Sequence, residues 1–429
     1  MEGELTENKA TDTTNALKHV FRALNSRNYR LFFIGQGISL IGTWMQTIAM
    51  SWLVYRITGS AFLLGLVGFS SQFPIFILAP LAGVFVDRHN RHRILILTQS
   101  LAMLQAFILA TLVLTNTVTV WSIIALSIFL GMVNSVDMPA RQTFVLEMVE
   151  RKEDLSNAIA LNSSLFNGAR LIGPSIGGIL IAALGEGLCF LINGLSFLSV
   201  IFCLIAMRIA TTKIEVKETH LLTELKEGFT YVLGFPPIRY LLLLVAIVSL
   251  VGMPYTVLMP IFAGQILQGG PNTLGFLMAS AGVGALVGTL YLASRRTVAG
   301  LGRIVIIGAV IFGSGLILFS LSRLLTLSLV FIMVAGFGMI VQMASSNTIL
   351  QTIVDDDKRG RVMSFYAMAF VGIAPFGSLL AGALASRIVA PNTLLYGGIL
   401  CIIAAIYSLV KFRSFKDIVR TIYGERRLI

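Results

Sequence analysis

Charge is scarce in this chain, and what there is of it is segregated. Only 12% of the 429 residues are Asp, Glu, Lys or Arg, about half the share found in a soluble domain, while 56% are hydrophobic. An ordinary water-soluble fold is excluded. Acids are scarcest of all, 20 against 32 Lys and Arg, and none falls in the middle of an apolar run. The three cysteines, Cys189, Cys203 and Cys401, lie in apolar runs without ligand spacing, and the four histidines sit beside no nucleophile. The chain therefore offers no metal site, no disulfide framework and no catalytic constellation; neither an enzyme nor a cofactor is expected. It has no glycine loop to cradle a nucleotide's phosphates, which argues against ATP as a driving force. No cleavable leader is read at the start.

What fills the chain instead is a series of twelve apolar runs, near 31–53, 61–86, 94–115, 119–138, 159–183, 186–207, 238–262, 271–294, 302–321, 325–349, 361–387 and 391–412. Each has about 20 residues or more, enough to cross a hydrocarbon core of ~30 Å as a helix. If the N-terminus is placed inside the cell, 28 of the 32 Lys and Arg fall in inner segments. Only Arg56, Arg323 and Arg387 fall outside, and Arg170 lies within a run. This obeys the positive-inside rule and places both termini in the cytoplasm. The net charge of +12 would suggest nucleic acid as partner in a soluble chain; here it belongs to short loops beside anionic lipid headgroups. The expected class is an all-α multi-pass membrane protein, in a bacterial cell membrane.

The longest inner loop splits the runs six and six. Within 209–237, Leu221, Leu222, Leu225, Phe229 and Val232 recur at helical spacing opposite Glu224, Lys226 and Glu227, which reads as an amphipathic helix on the membrane surface closed by Gly234 and Pro236-Pro237. The expected layout is a tail (1–28) with a short helix leading into the first span, a six-helix bundle (29–208), this linker (209–237), a second bundle (238–412) and a tail (413–429). The halves are faintly alike: residues 63–88 align with 273–296, with Gly65 on Gly275, and the stretch before Pro174 aligns with the stretch before Pro375. A parallel 6+6 repeat is a transporter architecture.

Three places carry mechanism. Between spans 2 and 3 the chain reads Gly83-Val-Phe-Val-Asp87-Arg88-His-Asn-Arg91-His-Arg93. Gly83 permits a close helix approach, Asp87 suits the positive end of a neighbouring helix, and Arg88 and Arg91 suit acids at inner helix ends; the bland alternative is a solvated basic loop. The matching loop of the second half, Ser294-Arg295-Arg296 to Arg303, has no such aspartate. In span 5, Asn167-Gly-Ala-Arg170-Leu-Ile-Gly173-Pro174-Ser-Ile-Gly177-Gly178 combines a small-residue face for tight packing with a proline kink. Arg170 stands too deep to be left without a polar cavity or a partner. It reads as a cavity or gating residue, or else as half of a buried ion pair whose nearest candidate acid is Asp137. Asn134, Asp137 and Arg141 share one face of span 4, as Ser163, Asn167 and Arg170 share one of span 5. Further polar stripes mark a substrate path: Gln36, Ser39, Thr43, Thr47 and Ser51 in span 1, and Gln342, Ser346 and Asn347 in span 10. Tyr255, Tyr366 and Phe370 add aromatic surface. Each is equally readable as an interhelical hydrogen-bonding group.

The Gly83–Arg93 loop resembles the signature loop of the major facilitator superfamily. The run Asp137-Met-Pro139-Ala-Arg141-Gln142-Thr143, with Asn157 to Asn162, Ala169-Arg170 and Gly173-Pro174, is similar to the branch that holds the enterobactin exporter and macrolide efflux pumps. The resemblance spans about residues 20–415. It implies two six-helix bundles that alternate in access. The Gly83/Asp87/Arg88/Arg91 cluster would latch against span 11 when the cavity faces outward, and the span-5 motif is one associated with exporters. The implied function is secondary active export of a small amphipathic molecule such as a drug, macrolide or siderophore, with proton antiport as the coupling. That coupling is in tension with the lack of a deep acid in the first half. The implied partners are a small-molecule substrate, the bilayer and protons, with the protein a monomer. The same fold also admits a lipid or lysophospholipid flippase, for which a lateral apolar cleft would be the discriminating feature. A non-transporting scaffold needs neither a deep arginine nor a latch.

Overall fold

The structure is a computed structural model that describes residues 21–208, 229–295, 297–298 and 300–413. Twelve of its helices are long and apolar enough to cross a membrane. They are α1 (Arg27–Thr58), α2 (Ala61–Arg88), α3 (Arg91–Leu114), α4 (Val120–Met148), α5 (Leu155–Leu184), α6 (Glu186–Ala206), α7 (Pro236–Ile266), α8 (Pro271–Ala293), α9 (Leu301–Leu321), α10 (Leu325–Ile353), α11 (Lys358–Ile388) and α12 (Ala390–Arg413). Several outrun the apolar stretches that announce them. Helix α4 continues to Met148 although its hydrophobic run stops near 138, because Asp137, Arg141 and Glu147 find ion-pair partners there and the helix stays intact as it leaves the membrane.

The turns are written locally. Thr119 and Ser122 form a reciprocal capping box at the start of α4. Asn90 accepts the Arg93 N–H to cap α3, which fixes the short turn after Arg88. Phe235 ends a helical stretch over 229–234, and Pro236-Pro237 open α7, where a missing N–H costs nothing. The surface helix expected from Leu221 to Glu227 lies outside the described residues.

The helix pairings repeat. In the first half α1 packs on α5 and α6, α4 on α2 and α3, and α3 on α6; in the second half α7 packs on α11 and α12, α10 on α8 and α9, and α9 on α12. The halves meet along two seams, α2 against α11 and α5 against α8. These seams are the same contact made twice. A Cβ on Gly65 would lie 2.5 Å from the Ser378 carbonyl oxygen and 2.9 Å from the Gly382 Cα; one on Gly275 would lie 2.8 Å from the Pro174 carbonyl oxygen and 3.0 Å from the Gly178 Cα. The faint alignment of Gly65 with Gly275 is thus a repeat in three dimensions.

The repeat is imperfect in one respect. Helices α1 to α6 are continuous α-helix, but α7 contains two π-turns (Val248–Gly252 and Phe262–Ile266) and α11 contains one (Met368–Gly372). The Ser249 hydroxyl donates to the Phe370 carbonyl oxygen at 2.5 Å, satisfying backbone that the wider turn frees.

At its N-terminal side the chain is tied down before α1 begins. Residues Arg22–Asn25 form a 3-10 turn; Arg22 pairs with Asp154 at 3.0 Å, and the Ala23 N–H donates to Asn157 Oδ1.

Candidate functional site

Both seams are tight at one end and parted at the other. Glycine contacts and a stack of phenylalanines close the end of the molecule that holds Gly59 and Gly185. Phe69, Phe73 and Phe76 of α2 all meet Phe376 of α11, with ring centroids 5.6–6.1 Å apart. At the other end, which carries most of the basic residues, the same helices have separated. A Cβ on Gly83, Gly168 or Gly360 would meet nothing within 4 Å, and the Asp87 side chain is 66% exposed. The basic end is therefore open, with a cleft between the halves.

The loop after α2 is seen in this open form. Arg91 spans Glu147 of α4 at 2.6 Å and Asp87 at 3.5 Å. Arg88 is exposed with no ion pair among the described residues. Among the described residues Asp87 forms an ion pair with Arg91 and with no residue of α11.

The α5 face that packs on α8 through Pro174 and Gly178 continues toward the basic end as exposed Ser163 and Asn167. Arg170 lies on that face, about 22 Å from the start of the helix. Its guanidinium carbon sits 5.7 Å from the Trp44 ring centroid, and Trp44 in turn meets Phe166 edge-on at 5.8 Å. Arg170 also comes within electrostatic reach of Tyr255 on α7. It makes no hydrogen bond or ion pair among the described residues. Insertion scales put a mid-membrane arginine at about +2.5–3.5 kcal/mol, and a cation–π stack returns about 0.5–2 kcal/mol. The stack alone leaves the guanidinium undercompensated.

The alternative reading of Arg170, as half of a buried ion pair with Asp137, is not met. Asp137 is 2% exposed and already saturated: it pairs with Arg141 at 2.9 Å and accepts from Thr98 Oγ1 at 2.8 Å and Gln99 Nε2 at 2.7 Å. The physical reason is helical geometry. Arg141 lies one turn away on the same helix, and α3 supplies two neutral donors, so the carboxylate has nothing left to offer α5. Asp137 ties α3 to α4 and does not face the cleft.

The span-5 glycines divide their work. Gly173 and Gly177 press on Trp44 and Met45 of α1, and Gly178 on α8. Pro174 sits inside an unbroken helix. On α1, Thr43 and Thr47 are exposed while Gln36 and Ser39 are buried, so the stripe splits between cleft and packing. Gln342 is buried and shares hydrogen bonds with Ser346. Asn347 accepts from Gln351, and the Tyr366 hydroxyl donates to the Met343 carbonyl oxygen at 3.0 Å. Tyr255 is 1% exposed and edge-on to Phe312. Asn134 is half-buried. In this state Gln342, Ser346 and both tyrosines are packed and Asn347 is half-buried, while on α1 and α5 Thr43, Thr47 and Asn167 are exposed and Arg170 is half-buried.

The sequence stripes passed over two features. Trp44, the residue under Arg170, is one. The other is a buried amide relay: Asn193 Nδ2 donates to Gln46 Oε1 at 2.7 Å, and Gln46 Nε2 to Gln105 Oε1 at 3.0 Å. It joins α6, α1 and α3 inside the first bundle, and amides in three apolar runs were its signal.

Comparison with known proteins gives a family to this geometry. The chain is 26% identical over 82% of its length, and 88% of the relative's, to a "Staphyloferrin A transporter" of Staphylococcus aureus. It is 26% identical to the "Multidrug efflux pump Tap" of Mycolicibacterium fortuitum, covering 80% of this chain and 86% of that one. It is 24% identical to "Macrolide efflux protein A" of Streptococcus pyogenes, covering 88% and 95%. Among solved structures, a bacterial homologue of the human lysosomal transporter Spinster, inward-facing and unoccupied, superposes with a TM-score of 0.71 at 13% identity, covering 91% of this chain and 97% of that one. A bacterial homologue of the iron transporter ferroportin does so at 0.67 and 17%, covering 91% and 98%; these likenesses concern the fold alone. The family model described as "Transmembrane secretion effector" matches residues 19–421. With its twelve spans, doubled seams and cleft, the chain belongs to the transmembrane secretion effector family of major facilitator transporters, membrane proteins that move small molecules and are not enzymes.

Proposed function

We propose that this protein exports a small amphipathic molecule from a bacterial cell by alternating access, driven by a proton gradient. The observation that carries this reading is the asymmetry of the seams. Both are sealed at one end by backbone-to-backbone glycine contact and parted at the other, around a polar cluster on α1 and α5. The positive-inside rule puts the parted, basic end in the cytoplasm, so the cleft would load from inside. Gly83, Asp87, Arg88 and Arg91 are proposed to latch against the start of α11, near Gly360 to Ser364, when the basic end closes. Export accords with relatives named for efflux.

The test is transport into everted vesicles or proteoliposomes with a panel of siderophores, macrolides and lysophospholipids, with and without a pH gradient. Export predicts saturable uptake into everted vesicles that collapses with the gradient. Uptake of a solute only in the opposite direction would overturn it.

One observation favours a second reading, lipid or lysophospholipid flipping. A lateral groove of about 480 Å³ lies between α2, α3 and α4, lined by Phe85, Leu97, Leu101, Phe129, Met132 and Val133, with Arg93 and His89 also among its lining residues. Its walls all belong to the first half, away from the seams. Movement of a labelled lysophospholipid in the same vesicles, blocked by filling this groove with Val133→Trp, would support that reading.

A further inference from the structure

We infer that the exported molecule is an anion that also carries hydroxyl or amide donors, a hydroxycarboxylate in its simplest form, and that Arg170 binds its charge. The inference rests on the transporter reading above and specifies what the cleft accepts.

The charge comes first. Arg170 presents five N–H donors, none of them used by another described residue. Among the described residues no carboxylate pairs with it. Asp137 is taken by Arg141, Glu147 by Arg91, and Glu186 by Arg56 at 2.7 Å. Asp87 stands at the mouth beside Arg91. The middle of the cleft therefore keeps one uncancelled positive charge in surroundings of low dielectric, where it draws an opposite charge strongly. The planar guanidinium fits a carboxylate through two parallel hydrogen bonds.

The polar neighbours add a second constraint. Thr43 donates its hydroxyl proton to the Ser39 carbonyl oxygen at 2.9 Å, and Thr47 donates its own to the Thr43 carbonyl oxygen at 2.9 Å. Asn167 Nδ2 donates to the Ser163 carbonyl oxygen at 2.9 Å. With those protons committed to the helices, the Thr43 and Thr47 oxygens are left as acceptors, and Asn167 keeps its oxygen and one further N–H. Acceptors outnumber donors on these side chains, so a ligand seated there is held better if it brings donors of its own, which a simple carboxylate or sulfonate lacks. Trp44 and Phe166, the latter 41% exposed, supply a flat apolar surface beside the charge for the less polar part of the molecule.

The test uses two dyes of one xanthene skeleton and opposite charge, fluorescein at a pH where its phenol keeps its proton and rhodamine 6G, and two tricarboxylates, citrate and tricarballylate, that differ only in the hydroxyl. Binding to the full-length protein in lipid nanodiscs is read by anisotropy. Fluorescein is expected to bind at least tenfold more tightly than rhodamine 6G, and citrate to displace it at several-fold lower concentration than tricarballylate. Arg170→Gln should weaken fluorescein at least tenfold without weakening rhodamine 6G, and Arg170→Lys should keep the charge preference. The wild-type dye comparison stands even if a variant fails to fold. Equal or tighter binding of rhodamine 6G overturns the inference, as does binding of neither dye, or an Arg170→Gln protein that is monodisperse and binds fluorescein unchanged. Equal competition by the two tricarboxylates removes the hydroxyl requirement. Everted vesicles separate the two levels of argument. Gradient-driven accumulation of rhodamine 6G alone leaves an exporter but defeats the anionic substrate, whereas no accumulation of either dye or of the wider panel defeats both.

Discussion

Gly178 of α5 and Gly275 of α8 touch so closely that a methyl group on Gly178 would lie 2.9 Å from the Gly275 Cα. No side chain can be placed there without parting the helices, and this contact helps to close one end of the molecule. Gly178→Val should therefore disfavour the form described here and stabilise the alternative, with the far end open. The strain of overpacking such a contact is about 1–3 kcal/mol, enough to shift a balanced equilibrium by about fivefold to 150-fold. The check is alkylation of a cysteine at 167: its rate from the basic side should fall in the variant. An unchanged rate would mean the seam does not govern access.

Asp87 is expected to matter for the state that is not seen. It is exposed here, so Asp87→Asn should leave expression and thermal stability unaltered. If the aspartate latches α11 in the closed form, transport should drop at least fivefold, and spin labels at 90 and 358 should show a larger long-distance population. Full transport activity in the variant would remove the latch role of Asp87.

The saturated Asp137 makes a sharper forecast. Removing one member of a buried pair typically costs about 3–5 kcal/mol because the other charge is left unmatched. Arg141→Met should thus lower the melting temperature more than the double change Arg141→Met with Asp137→Leu. Asp137 and Arg170 share no partner, so their effects on transport should add. A strong non-additive term between Asp137 and Arg170 would restore the pairing that the geometry denies.

The amide relay separates core from site. Asn193→Ala leaves Gln46 Oε1 without its donor, and an unsatisfied buried acceptor costs about 1–3 kcal/mol. Thermal stability should fall by that order. Relative affinities for fluorescein and rhodamine 6G should not change, because the relay lies inside the first bundle. A change in that ratio would bring the relay into the substrate path.

Much of the architecture was legible because membrane physics constrains sequence tightly. Twelve apolar runs, basic residues on one side and Gly65 aligned with Gly275 sufficed for the helix count and the repeat. Helix ends were less legible. Beyond 138, α4 is held by Asp137 with Arg141, one turn apart, and by Arg91 with Glu147, 56 positions apart, a pairing that leaves no local periodicity. The site was half legible. Arg170 announced itself as a charge in an apolar run, and Thr43, Thr47 and Asn167 as polar steps on helical faces. Its supposed partner was misplaced because sequence shows how deep a residue lies but not which way it faces. Trp44 went unnoticed because an aromatic in a membrane helix is unexceptional until its neighbour is known. The packed state of Gln342, Tyr255 and Tyr366 belongs to one conformation, which a single sequence does not select.

The π-turns give the two halves unequal mechanical characters. Each wide turn stores one residue more than the helix needs, and that surplus can pass along the backbone by exchanging hydrogen-bond partners one at a time. The short stretch Tyr255–Ile261 lies between two such turns, like a section of shaft between two joints. A rotation of that section would carry Tyr255 with it while the ends of α7 stay anchored, and the Ser249 hydroxyl links α7 to the wide turn of α11 at the Phe370 carbonyl oxygen. The first six helices have no such slack. The first half would then act as an anvil of fixed shape, and the second as the part that changes its grip.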